Sequence, residues 1–214
     1  MQSIQPDNIS DFINHLKIAS LGGIASQYKL APEFRQAYNL EQIKKKRPNL
    51  AGVAIILFKD QSRLKLILTK RADYSGHHSA QVSFPGGKQD IKDKKLIDTA
   101  IRETYEEIGI NLNYSIFIRQ LTDLYIPVSN FLVSPFLFFL PEKPRLTLNY
   151  EVESVLLPPW PEFISDDSIL IKNTGTFQGK KIKSPGIIYE SEFIWGATAM
   201  ILSEFYDLTQ KFHK

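Results

Sequence analysis

The chain predicts an α+β fold, a sheet covered by helices. Three observations carry this. Residues 51–58, AGVAIILF, form a continuous apolar run rich in β-branched residues, the pattern of a buried strand. Residues 96–108 carry a helical period, and Gly109 stands where such a helix stops. The remaining strand-like runs are short and lie close to one another in the chain, which favours local pairing over a pure bundle or sandwich.

Taken in order, residues 1–49 read as a partly helical extension packed on a domain of residues 50–210. Phe12, Leu16 and Ala19 recur at helical spacing, with Ser10 or Asp11 as cap and Gly22-Gly23 as stop. Residues 64–69, LKLILT, follow the first strand across the turn Asp60-Gln61-Ser62, so a hairpin is expected. Phe84-Pro85-Gly86-Gly87 reads as a strand end running into a tight loop. Residues 116–121 and 131–140 read as strands, and Pro135 predicts that the second is an edge or bulged strand. Residues 151–157 read as a further strand, 158–190 as turns with short strand fragments, and 193–208 as a closing helix.

Composition narrows the function classes. The chain has 214 residues, 43% of them apolar and 23% charged, which is ample material for a core. The formal net charge of +3 is too weak to argue for nucleic acid or an anionic membrane. With no cysteine, disulfide scaffolds, thiolate metal sites and cysteine nucleophiles are excluded. The longest apolar stretch, residues 131–140, falls far short of the roughly 20 residues that a spanning helix needs. The start MQSIQPDNIS lacks the basic and apolar regions of a secretory signal, and the expected location is cytoplasmic.

Chemistry concentrates in one helix. At about 100° per residue, Ile97, Ala100, Ile101, Thr104 and Ile108 share one sector, and Glu103, Glu106 and Glu107 share another on the far side. Like charges at this spacing destabilise a helix by about 0.2–0.5 kcal/mol per pair. Only Arg102, four residues before Glu106, offsets that locally. Three convergent carboxylates suit a hard cation, Mg²⁺ or Mn²⁺, that keeps coordination positions for phosphate. A plain solvated acidic face is the competing reading. Just upstream, Gly86-Gly87 lets the backbone approach a ligand and aim a carbonyl at the same ion, with Lys88 beside it. Asp93 is placed either to cap the helix or to join the acidic group.

These residues form a recognisable pattern. Residues 84–110, FPGGKQDIKDKKLIDTAIRETYEEIGI, resemble the Nudix box, matched by Gly87, Arg102, Glu103, Glu106, Glu107 and Gly109. The acid after the glycine is Asp93 rather than Glu, and its spacer to Arg102 is one residue longer than usual. Both departures resemble the coenzyme A pyrophosphatase branch. The upstream motif of that branch is similar to residues 68–87, LTKRADYSGHHSAQVSFPGG, through Leu68, Thr69, Arg71, Ala72, His78, Gln81 and residues 84–87. Gly76 stands where that motif has Arg, and Ala80 where it has Gly. Ile126-Pro127, residues 129–131, residues 133–135 and Trp195-Gly196-Ala197-Thr198-Ala199 also look like this branch.

The resemblance implies a Nudix-type α/β/α sandwich with a mixed central sheet. It implies metal-dependent cleavage of the diphosphate of coenzyme A or a derivative, giving 3′,5′-ADP and 4′-phosphopantetheine. Glu103 and Glu107 are the first choice as metal ligands, Glu106 is a third, and the carbonyl of Gly86 or Gly87 can add another. Glu103 and Glu106 are also candidate catalytic groups, with Arg102 orienting the carboxylates. Arg71, Lys88 and His78 are candidate substrate contacts, each with a structural role as its alternative. The general base stays open between a box glutamate and a loop acid, Glu151, Glu153, Asp166 or Asp167. Residues 44–47, KKKR, are a candidate for the 3′-phosphate or a solvated face. Phe136, Phe138 and Phe139 are candidates for a ligand pocket or for core. The expected partner is a small nucleotide substrate, without nucleic acid or membrane, and with a homodimer open. ADP-ribose or a nucleoside triphosphate remains the alternative substrate. A non-catalytic binding module is disfavoured because all three glutamates and Arg102 are present.

Overall fold

A computed structural model describes residues 9–72, 81–177 and 180–213. In chain order the helices are α1 (Ile9–Ile18), α2 (Gly23–Gln27), α3 (Leu40–Lys45), α4 (Leu96–Ile108) and α5 (Gly196–Gln210). The strands are β1 (Asn49–Asp60), β2 (Arg63–Arg71), β3 (Val82–Ser83), β4 (Gly86–Lys88), β5 (Phe117–Gln120) and β6 (Leu124–Ile126). They continue with β7 (Phe131–Leu140), β8 (Val152–Leu156), β9 (Pro159–Trp160), β10 (Ile169–Phe177), β11 (Lys180–Tyr189) and β12 (Glu192–Trp195).

The apolar run at the start of the domain becomes the middle of the sheet. β1 pairs antiparallel with β2 along Ile56 to Asp60, antiparallel with β4 along Ala51 to Val53, and parallel with β7 along its other edge. Both faces of this centre are covered, which is why the run shows no polar alternation. Ala54, Ile56 and Phe58 face α4 together with Phe136, Phe138 and Ile97. Ile55 and Leu57 face the opposite way, onto a cluster with Leu137, Met200, Phe205, Phe12 and Leu16. Each fully buried side chain of this size contributes about 1.5–3 kcal/mol from transfer out of water. The layering is the expected α/β/α sandwich with a mixed sheet. Phe136 and Phe138 belong to its core, so the ligand-pocket reading is corrected for them.

Four further expectations change. β7 is central, bonded to β1 on one side and to β5 and β6 on the other, so Pro135 does not mark an edge. Its carbonyl accepts from Leu121 N–H at 2.9 Å, so its missing N–H faces the break between β5 and β6, where no ladder donor is required. Residues 169–189 are not turn fragments but a long hairpin, β10 with β11, extended by β12. The closing helix begins at Gly196, whose φ is 63°, while Phe193 to Trp195 pair in β12. α1 ends at Ile18, before the Gly22-Gly23 stop, and Ser10 and Asp11 lie inside it. Gly22 instead precedes α2.

The N-terminal segment is tied down by polar bonds as well as by Phe12 and Leu16. Fully buried Glu204 of α5 accepts from Gly23 N–H at 3.0 Å, Gln27 Nε2 at 2.9 Å, Thr122 N–H at 3.3 Å and Thr122 Oγ1 at 2.5 Å. Arg119 donates to the carbonyls of Leu16 and Ala19 at the end of α1. Among the described residues, no helix is long and apolar enough to cross a membrane.

Candidate active site

Close packing sets where α4 lies. A Cβ on Gly52 of β1 would stand 2.1 Å from the Leu96 carbonyl oxygen, so the absence of a side chain there lets the helix sit directly on the sheet. Lys95 precedes the helix, and its N–H donates to Asp98 at 2.9 Å, so Asp93 is not the cap. Gly109 closes the helix in the left-handed region at φ 73°. The orphan carbonyls of Glu107 and Ile108 accept from Asn149 N–H and Thr147 N–H, both at 3.0 Å. The loop leading to β8 is thereby fastened to the end of α4.

The three glutamates meet different environments. The helical projection placed them together opposite the core, but the Glu107 side chain is only 6% exposed. β4 docks beside α4, and Gly86 N–H donates to Glu107 at 3.0 Å. Burial pushes the Glu107 carboxyl up to about 7, against the lowering effects of the Gly86 N–H and Arg71. Burial also raises the half-buried Glu103. Glu106 is 52% exposed.

Arg102 organises the rest. It donates to Glu103 at 2.8 Å, to Glu106 at 3.0 Å, to Asp93 at 2.9 and 3.1 Å, and to the Lys88 carbonyl at 3.3 Å. Its hydrogen bonds hold the Asp93 carboxyl down at about 2, and Asp93 in turn keeps the guanidinium firmly protonated. Glu103 and Glu106 therefore close on Arg102, while Glu107 turns to Gly86 and Arg71. Among the described residues, no three acidic or histidine side chains stand together as a metal-holding group.

The donors nonetheless fit a divalent cation. Glu107 is a buried carboxylate whose charge is poorly compensated, and a cation beside it would offset that desolvation cost. A Cβ on Gly87 would stand 2.6–2.7 Å from the Glu103 carboxyl group, so the missing side chain keeps a cradle open between β4 and the helix. All available donors are hard oxygens.

Arg71 ends β2 at a register shift in its pairing with β8, where Lys70 faces Ser154 and Arg71 faces Val152. Its Nη1 lies 3.8 Å from Glu107, so the structure brings this residue of the upstream motif to the helix carboxylates. Lys88 is exposed on β4. His78 lies outside the described residues, as do Gly76 and Ala80. Of the loop acids, Glu153 pairs with Lys70 at 3.0 Å, whereas Glu151 lies 3.4 Å from Arg71. Arg71 and Glu151 stand 80 positions apart in the chain, with no spacing signal that would have joined them.

A family model for the NUDIX domain matches residues 48–158, more than half of the chain. The chain belongs to the Nudix family, and it is a Nudix hydrolase. Among curated relatives, Nudix hydrolase NudL of Yersinia enterocolitica, itself uncharacterized, is 36% identical over 140 residues, spanning 64% of this chain and 70% of that protein. NudL of Yersinia pestis, also uncharacterized, is 34% identical over 145 residues, spanning 64% and 68%. A MutT/nudix family protein from Enterococcus faecalis has the same fold, with a TM-score of 0.54 at 16% identity over 94% of this chain and 74% of that one.

Proposed function

We propose that this enzyme hydrolyses the diphosphate bond of coenzyme A or a derivative, releasing 3′,5′-ADP and 4′-phosphopantetheine. The carrying observation is Arg71. It belongs to the segment resembling the coenzyme A branch, and it lies 3.8 Å from buried Glu107 on the Nudix helix. A cationic fork beside an acidic group suits a phosphate bridged to a metal site. The coarser class, a hydrolase of nucleoside diphosphate-linked compounds, rests on family membership.

A divalent cation, Mg²⁺ or Mn²⁺, would be held by Glu103, Glu107 and Glu106, with the Gly87 carbonyl as a further donor. When bound it supplies positive charge against the anionic diphosphate. The chain's own groups do the rest. Arg102 fixes the rotamers of Glu103 and Glu106 through its forked donors. Arg71 and Lys88 contact phosphate oxygens and orient the diphosphate. Glu106, at the solvent side, is the candidate to take the proton of the attacking water as the phosphorus–oxygen bridge breaks.

The test is incubation of the protein with coenzyme A and Mg²⁺ or Mn²⁺, followed by chromatographic separation of products. The expected result is 3′,5′-ADP, with turnover reduced on the order of 100-fold or more in Glu103→Gln and Glu107→Gln. Cleavage of ADP-ribose or nucleoside triphosphates with coenzyme A left intact would replace this substrate by that alternative. Gly76, standing where the related motif carries Arg, is the reason for including both in the panel.

A further inference from the structure

We infer that Glu151 is a positioning residue that holds Arg71 in the orientation in which it meets the substrate diphosphate. The inference rests on the diphosphatase reading of the site. It arises because the fold delivers Glu151 from the far end of a loop and fixes it there. That loop is first bonded to the end of α4, through Thr147 N–H to Ile108 and Asn149 N–H to Glu107. The Asn149 side chain then accepts Glu151 N–H at 2.9 Å. The Glu151 carbonyl accepts Ala72 N–H at 2.8 Å, which continues the β2–β8 pairing one step past Arg71 and Val152. The backbone of Glu151 is therefore held on both sides by bonds to named partners.

Its side chain spends that placement on Arg71. Glu151 Oε2 lies 3.4 Å from Nη2, and Glu107 Oε1 lies 3.8 Å from Nη1 on the same guanidinium. Two carboxylates thus bracket one planar fork, one of them buried and the other 42% exposed. Neither contact is as short as a tight charge-assisted bond. They orient the guanidinium at distances from which an anionic ligand can take over as partner. A long arginine on the last residue of a strand otherwise samples many rotamers, and a pre-set fork loses less freedom on binding. Glu153, two residues further along the chain, takes a different cation, Lys70, so the bracket is particular to Glu151.

Two measurements test this together. Turnover of coenzyme A gives kcat and KM, and calorimetry in Mg²⁺ buffer gives the Kd of inorganic pyrophosphate, for wild type, Glu151→Gln, Arg71→Ala and the double variant. Glu151→Gln is expected to raise KM and the pyrophosphate Kd about tenfold, with kcat within about twofold. Added to Arg71→Ala, it is expected to change nothing further, because its effect passes through that arginine. Glu192→Gln, which removes a carboxylate 3.0 Å from Lys70, is the control and should leave all parameters unchanged. A fall in kcat at constant KM, an additive double variant, an equal effect of Glu192→Gln, or unaltered pyrophosphate affinity in Glu151→Gln would each overturn the inference. If wild type binds pyrophosphate in this Arg71-dependent way but leaves coenzyme A intact, the substrate assignment fails and the role of Glu151 stands.

Discussion

Replacing Glu107 by Gln should stabilise the metal-free protein while abolishing its activity. The Glu107 side chain is 6% exposed, and its charge is met by one N–H at 3.0 Å and a guanidinium at 3.8 Å. Burial is the dominant influence and pushes the carboxyl from 4.5 up to about 7. At about 1.4 kcal/mol per unit, the charged form costs the folded state about 3 kcal/mol relative to the unfolded chain. The sign follows from proton counts. Between pH 4.5 and about 7 the folded state holds the proton that the unfolded state has lost, so this group makes stability fall as pH rises. The cost is absent below 4.5 and complete above about 7. Gln keeps an oxygen for the Gly86 N–H and carries no charge, but it deprives Arg71 of one partner. The expected net gain at pH 8 is therefore about 1–3 kcal/mol, shrinking toward zero at pH 5. Urea denaturation in EDTA at both pH values measures it, using the difference between variant and wild type to cancel other titrations. Saturating Mg²⁺ or Mn²⁺ should stabilise wild type selectively, by about 2.7 kcal/mol at one hundred times the Kd, and erase the variant's advantage. A variant less stable than wild type at pH 8 in EDTA, or a gap equal at pH 5 and pH 8, would refute the reasoning.

Three further outcomes follow from the packing around α4 and α5. Gly52→Ala sets a Cβ 2.1 Å from a backbone oxygen of α4 and should cost about 3 kcal/mol or more in denaturation. Gly87→Ala sets a Cβ 2.6–2.7 Å from the Glu103 carboxyl group, whose displacement from Arg102 should lower turnover on the order of tenfold at a smaller stability cost than Gly52→Ala, because the clash is with a side-chain end and not with backbone. Glu204→Ala removes the buried carboxylate and strands the Gly23, Gln27 and Thr122 donors that it accepts from. It should cost about 3–5 kcal/mol in urea denaturation and expose the segment around α2 to protease.

Short-range patterns in the chain were enough for part of the site. Glu103, Glu106, Glu107 and Arg102 sit within one helical stretch, so their shared neighbourhood follows from a fixed turn of 3.6 residues. Gly86-Gly87 marks close backbone approach for a reason internal to glycine. Helical periodicity was a weaker guide to exposure. It assigned Glu107 to the open side because it has no knowledge of β4, whose arrival buries that carboxylate. The β10–β11 hairpin shows no one-sided apolar alternation, because neighbouring Leu170 and Ile171 are both exposed and Lys172, Lys180, Lys181 and Lys183 interrupt the apolar positions.

Residue order alone determined the buried centre of the sheet, the acidic helix and its stop, since each depends on neighbours a few positions away. Tertiary structure decided which strands flank Pro135, which glutamate loses water, and that Glu151 meets Arg71. Those outcomes depend on segments remote in the chain being pressed together by core burial, and no local periodicity encodes the partner of a side chain eighty residues away.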